Sequence, residues 1–323
     1  MNITPSFVRT LSMLGQRGAF GAALTELAAR NEKIVALSAD LCNTAGLDRF
    51  QKGYPDRLIN VGIAEGNMIG IAAGIADSGY IPFAATFANF AALRACEQIR
   101  HFMGYMRSNV KIVGFGAGFA MEFFGNTHYG VEDIAAIRAI DNLIVLSPSD
   151  GLSVVKCVEA AAEKESPIYI RLTGVMNTQI VYKEDFEFKI GEAIELKAGN
   201  DVAVFASGSV VANAIKAAEI LEKESISTAL FDLHTIKPLD TKTVVEASVG
   251  KKLIVSAEEH SVCGGSGSAI AEALAARSDT PPLLRLGIDA YRKAGDYQYM
   301  IGQSGLRGDQ IAEAIKQKLK EKR

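Results

Sequence analysis

The chain has 323 residues, 49% apolar and 22% charged, with a net charge of −3. At roughly 100–200 residues per domain this is about two domains, with enough apolar material to exclude a mainly disordered chain. The absence of a basic excess argues against nucleic acid as a partner. In chain order, short β-branched runs at 33–38 (KIVALS), 57–61, 80–85 (YIPFAA), 110–115 (VKIVGF), 142–147 (NLIVLS) and 167–172 (PIYIRL) read as buried strands. Between them, 65–76, 89–106, 132–139 and 151–164 space Ala, Ile and Leu as helices do. Such alternation predicts a largely parallel sheet covered by helices on both faces. A charged, weakly periodic break follows at 182–201. The alternation then restarts, with strands at 202–207, 227–233, 252–258 and 283–288. Helices are expected from 210, near 241, from 265 and over 309–320. The fold class is therefore α/β, two doubly wound domains, with units expected at 1–187 and 188–323.

Cys42, Cys96, Cys157 and Cys263 form no CxxC pair, so neither a zinc site nor a redox dithiol is expected. Scattered cysteines fit a reducing cytoplasm. The N-terminal stretch lacks the apolar run of a secretory leader. The longest uncharged stretch, 78–93, contains Pro82 and falls short of the ~20 apolar residues a bilayer span needs, so no membrane partner is expected.

No P-loop motif occurs, and 116–123 (GAGFAMEF) lacks the third glycine of a dinucleotide loop. The segment 263–267 (CGGSG) fits either an anion cradle at a helix start or, more simply, a tight turn eased by glycine. Glu65 lies in NVGIAEGNMIG, among small and apolar residues. It reads either as an acid favourable to a helix dipole or as a carboxylate in a dry site suited to proton traffic. Phe87 and Phe90 share a helix face at i, i+3, as core packing or as a slot for a flat heterocycle. His128 sits in a polar loop at the strand–helix crossing where ligands of open α/β sheets bind. Arg171 ends a strand at that same edge, and Arg17 is placed ahead of the first helix. Either arginine suits a phosphate or an ordinary surface pair.

Taken together these segments resemble the pyrimidine-binding and C-terminal domains of transketolases, which are thiamine diphosphate enzymes. The resemblance runs from about residue 16 to the C-terminus. It is carried by SADL (38–41), VGIAEGNMIGIAAGIA (61–76), TFANF (86–90), NTHYGVEDIAAIRAIDNLIVLSPSD (126–150), FDLHTIKPLD (231–240) and EEHSVCGGSGSAIAEAL (258–274). It implies that Glu65 hydrogen-bonds the cofactor's aminopyrimidine and promotes loss of the thiazolium proton. It implies an aromatic wall from Phe87 and Phe90, and cofactor contacts from Asp40 and Leu41. His128 is implied as a catalytic proton shuttle, and Arg17, Thr44 and Arg171 as ligands of the sugar phosphate. The family's Gly-Asp-Gly motif, which binds diphosphate and Mg²⁺, is absent: Gly295-Asp296-Tyr297 and Gly308-Asp309-Gln310 both fail at the third position. The resemblance thus implies the C-terminal half of a split transketolase with no metal site of its own. A diphosphate-binding N-terminal subunit would hold Mg²⁺ and share thiamine diphosphate in a heterotetramer. Sugar phosphates are the implied substrates, for transfer of a two-carbon ketol unit.

Two positions depart from the family pattern. Phe124 stands where many transketolases have an Asp four residues before the loop histidine, and Gly116 or its neighbours where a further histidine is usual. An atypical, branched, deoxy or otherwise modified ketose phosphate is therefore expected. The alternatives are a beta subunit of a 2-oxo acid dehydrogenase decarboxylase component, a deoxyxylulose phosphate synthase, or a non-catalytic regulatory subunit of the same fold.

Overall fold

Runs of β-branched residues separated by Ala-rich helical stretches build two sheets in the computed structural model, which describes residues 3–321. The first half contributes β1 (Ile34–Ser38), β2 (Leu58–Asn60), β3 (Ile81–Phe87), β4 (Lys111–Phe115), β5 (Ile144–Leu146) and β6 (Ile168–Arg171). The second contributes β7 (Ile194–Lys197), β8 (Val202–Ser207), β9 (Thr228–Asp232), β10 (Thr235–Lys237), β11 (Leu253–Ser261) and β12 (Leu283–Ile288). One sheet has the order β10-β5-β6-β4-β3-β1-β2 and the other β12-β11-β8-β9-β7. Pairing is parallel throughout except β10 with β5 and β7 with β9. The two-domain α/β expectation holds. One strand crosses over: β10, from the second half of the chain, edges the first sheet.

The order of the first sheet fixes where a ligand can go. From β1 the chain moves outward to β2, then crosses back to place β3 on the other side of β1. The carboxyl ends of β1 and β3 therefore flank a topological switch point, where helices diverge and leave a crevice.

Several elements differ from the sequence expectation, which did not include β10 or the helices Asp48–Gly53 and Tyr297–Gln303. The helix Pro5–Arg30 begins well ahead of Arg17, so Arg17 lies inside it, just past a break at Gly15 (φ +68°). Between 89 and 106 the chain forms wide i→i+5 turns, Phe90–Arg94 and Ile99–Tyr105, around a single α-turn, Cys96–Gln98. The charged break at 182–201 holds β7, which pairs antiparallel on β9.

The two halves meet around a buried acid. Asp232, at the end of β9, accepts hydrogen bonds from the Ser149 hydroxyl and the Tyr182 hydroxyl, both at 2.8 Å. Burial raises its pKa to about 7, opposed by those two bonds and reinforced by nearby Asp150. Burial moves His234 the other way, down to about 4. The raised Asp232 stabilises the fold fully below its unfolded pKa near 4, and that contribution is lost as pH rises to about 7. The depressed His234 contributes above its unfolded value of 6.5 and is lost as pH falls to about 4. Between those limits the two slopes oppose. Asp232→Asn is expected to unmask His234, so that the urea midpoint climbs from about pH 4 to 6.5 and then levels off. A wild-type curve identical to that of the variant would remove Asp232 from the balance.

Candidate active site

Four strand ends bring the site together. After β1, Asp40 takes a left-handed conformation (φ +61°), and Leu41 N donates to Ser38 Oγ at 2.9 Å. Asn60, at the end of β2, ties this turn to the next. Its Oδ1 accepts from Asp40 N (3.0 Å) and Gly62 N (3.1 Å), while its Nδ2 donates to Asp40 Oδ1 (3.2 Å). Nothing in the sequence pattern singles out Asn60; a polar residue ending a short, half-buried strand is the one signal.

Gly62 (φ +74°) turns the chain into the helix Glu65–Asp77, which opens on Glu65. A carboxylate there faces the positive helix end. Its side chain is only 7% exposed and accepts from Arg94 Nη1 at 2.9 Å. The Arg94 guanidinium in turn lies 3.5 Å over the Phe90 ring. The slot between the Glu65 carboxylate and the Phe90 face thus accommodates a flat, N–H-donating group.

Phe87, the last residue of β3, is buried and packs edge-on to Phe90 with centroids 5.3 Å apart. His128 closes the cluster at 5.5 Å from both Phe87 and Phe90, with its Nδ1 2.9 Å from Thr127 Oγ1. Phe124 lies 5.1 Å from His128 and, like Phe123, is largely exposed. The structure therefore gathers Glu65, Phe87, Phe90 and His128 into one contiguous group, with Asp40 and Leu41 on the turn tied to the Glu65 helix by Asn60.

The loop bearing His128 is held from both halves of the chain. Asn89 Nδ2 donates to Thr127 O at 2.8 Å. From β11, Glu259 Oε1 accepts from Phe119 N at 2.6 Å, and its Oε2 from Ser209 Oγ (2.6 Å) and Tyr297 OH (2.7 Å). A Cβ at Gly118 would stand 2.2 Å from Glu259 Oε1, so glycine is what permits this approach. The second half of the chain thereby fixes a loop that the sequence places in the first.

Arg17 and Thr44 are neighbours. Arg17 Nη1 donates to Thr44 O at 3.2 Å. The helix can pass this close because a Cβ at Gly21 would meet Gly46 O at 1.8 Å. Burial lowers the Arg17 pKa, and Glu122, on the His128 loop, pulls the other way.

Arg171, expected beside them as a phosphate ligand, has its hydrogen bonds taken up by the chain itself. It is 1% exposed, with Nε donating to both Asp133 oxygens (3.0 and 2.8 Å) and Nη2 to Gly130 O and Glu259 O (both 2.9 Å). Burial disfavours its charge, but Asp133, with Tyr169 and Glu259 beside it, opposes this and the net shift is upward. It is a structural cation at the junction of the halves. The glycine-rich turn after β11 is likewise filled from within: Glu258 accepts from Ser266 N (2.7 Å) and Gly267 N (2.8 Å), so the simpler turn reading applies.

Comparisons with known proteins place this geometry in a family. The model for the transketolase pyrimidine binding domain matches residues 12–175, and that for the transketolase C-terminal domain matches residues 191–311. A protein of Methanocaldococcus jannaschii, provisionally named a transketolase C-terminal section, is 38% identical over 95% of this chain and 96% of its own. A 6-deoxy-6-sulfo-D-fructose transketolase subunit of Clostridium sp. (strain MSTE9) is 38% identical over 90% of each chain. A solved split-gene transketolase, described as an inactive β4 tetramer, superposes with a TM-score of 0.85 at 39% identity, covering 95% of this chain and 99% of that one. No helix among the described residues is long and apolar enough to cross a membrane. The chain belongs to the transketolase family, as the C-terminal half of a split transketolase.

Proposed function

We propose that this chain is the pyrimidine-binding subunit of a thiamine-diphosphate-dependent enzyme that moves a two-carbon ketol unit from a ketose phosphate to an aldose acceptor. The observation that carries the reading is the slot between buried Glu65 and the Phe90 face, which already holds a planar N–H donor, Arg94. Its chemistry fits the aminopyrimidine of the cofactor. Glu65 would hold the ring by a hydrogen bond, Phe87 and Phe90 would wall it, and Asp40 and Leu41 would edge it. When bound, the cofactor supplies the carbon nucleophile. His128, braced by Thr127, gives and takes a proton at the substrate hydroxyl. Arg17 with Thr44 takes the sugar phosphate; Arg171 has no part in it. We place the division into two units at 187/188. A second chain carrying Gly-Asp-Gly supplies Mg²⁺ and the diphosphate site, two copies of each forming a cytoplasmic heterotetramer.

The exposed rings of Phe123 and Phe124 beside His128 support an atypical ketose, because an aromatic lip cannot hydrogen-bond a hydroxyl there. The relative named for 6-deoxy-6-sulfo-D-fructose supports the same view. The test is to combine the purified chain with its diphosphate-binding partner, thiamine diphosphate and Mg²⁺, and to screen ketose phosphates. A deoxy or modified ketose is expected to outrank xylulose 5-phosphate in kcat/KM. Phe124→Asp is expected to move that ratio toward xylulose 5-phosphate by about tenfold. Decarboxylation of a 2-oxo acid with lipoyl acylation would overturn the ketol-transfer reading.

A further inference from the structure

We infer that Arg94 is a built-in stand-in for the cofactor's aminopyrimidine: it closes the slot of the chain on its own and has to leave when the slot is filled. The inference rests on the reading of that slot as a thiamine diphosphate site.

A guanidinium is planar, with N–H donors along its edge. In this slot it uses its face against Phe90 (3.5 Å) and its edge against Glu65 Oε1 (2.9 Å) at once. A flat aminopyrimidine held by the same carboxylate against the same ring needs both positions. The two occupants are therefore exclusive.

The backbone brings Arg94 there. Ala95 N bonds to Phe90 O at 3.3 Å, an i→i+5 turn wider than an α-turn. Such turns carry an extra residue and recur where a helix is remodelled around a site. Here the wide turn folds Arg94 back onto the ring four residues before it.

Exposure then makes the plug reversible. The Glu65 side chain is 7% exposed and the Arg94 side chain 51%. A buried carboxylate without a partner is costly, so the empty chain needs a donor at this point. Arg94 provides it, yet its half-exposed head can swing into water when another donor arrives. A charge bridge between two fixed, buried groups would lack this property. The consequence is a competition: the apparent affinity for the cofactor is reduced by the fraction of chains in which the slot is open.

The test is a titration of the isolated chain with thiamine diphosphate, followed by ligand-observed NMR, which reads millimolar affinities. The proteins are wild type, Arg94→Met and Arg94→Lys. If plugged chains outnumber open ones about ten to one, Arg94→Met binds about tenfold more tightly than wild type. Arg94→Lys is expected in between, because an ammonium pairs with Glu65 but offers no flat face. A second readout needs no ligand: Arg94→Met should melt below wild type, and adding Glu65→Gln should restore the melting temperature. If Arg94→Met does not fold, Arg94→Lys decides the matter alone, by a rise of about threefold in affinity. Equal affinities in wild type and variant would overturn the plug and leave the slot as a cofactor site. Weaker binding in the variant would overturn it too, making Arg94 a direct ligand. No binding by any folded protein, either alone or with the diphosphate-binding partner and Mg²⁺ added, would sink the cofactor reading of the slot, and the plug with it.

Discussion

Glu65→Gln in the reconstituted enzyme is expected to cut turnover by about 10²–10⁴-fold, the usual cost of losing a positioned acid–base group. The amide keeps the size and one acceptor oxygen, so the helix beginning at residue 65 and the pocket walls stay in place. What it loses is the charge of the buried carboxylate at the Phe90 slot. The loss should fall on kcat, since the aromatic wall of Phe87 and Phe90 still binds the flat ring. Steady-state kinetics on a complex of confirmed stoichiometry separates the outcomes. Unchanged turnover would take Glu65 out of the mechanism and restore the reading of this chain as a regulatory subunit.

Arg171→Met is expected to act on stability and not on the sugar. Arg171 and Asp133 are 1% and 0% exposed and 2.8 Å apart. Removing one partner of such a pair leaves the other charge buried and costs about 3–5 kcal/mol. Asp133 would keep only the Tyr169 hydroxyl, at 2.8 Å, as a side-chain donor. The loss would also remove the Nη2 bonds to the carbonyls of Gly130, which keeps its bond from Gly118 N at 2.8 Å, and Glu259, one in each half of the chain. The urea midpoint should drop accordingly, and adding Asp133→Asn should recover much of it, because the stranded charge is then gone. In folded, reconstituted enzyme the KM for sugar phosphate should stay near the wild-type value. A stable variant with KM raised about tenfold would instead return Arg171 to the phosphate site.

The contrast between Arg17 and Arg171 shows how far a sequence reaches. Arg17 lies inside the first helix and Arg171 ends a strand, and neither place in the chain tells which arginine is already paired. Arg171 was captured by Asp133, 38 residues upstream, and by a carbonyl 88 residues downstream. Pairings at that separation depend on how sheets and loops stack, which no local pattern encodes. Asn60 and Glu259 were missed for a like reason: Asp40, which Asn60 holds, lies 20 residues away on the turn after β1, and Phe119, which Glu259 holds, lies 140 residues away in the other half of the chain.

The sequence by itself determined most of the strand and helix alternation, hence the two largely parallel sheets, because hydrophobic period and β-branching are local properties; the antiparallel edge strands β7 and β10 lay outside it. It also carried the resemblance that gave the family and, as what that implies, Glu65, Phe87, Phe90 and His128. These residues end or follow consecutive strands, and the carboxyl edge of an α/β sheet gathers such ends at one switch point. Only the tertiary structure decided which charged groups are free and which are spent. Burial forces each buried ion to find a partner, and the partner is whichever group the packing brings near. It thus retired Arg171 into the junction, filled the glycine turn with Glu258, and set Arg94 across the mouth of the Glu65 slot.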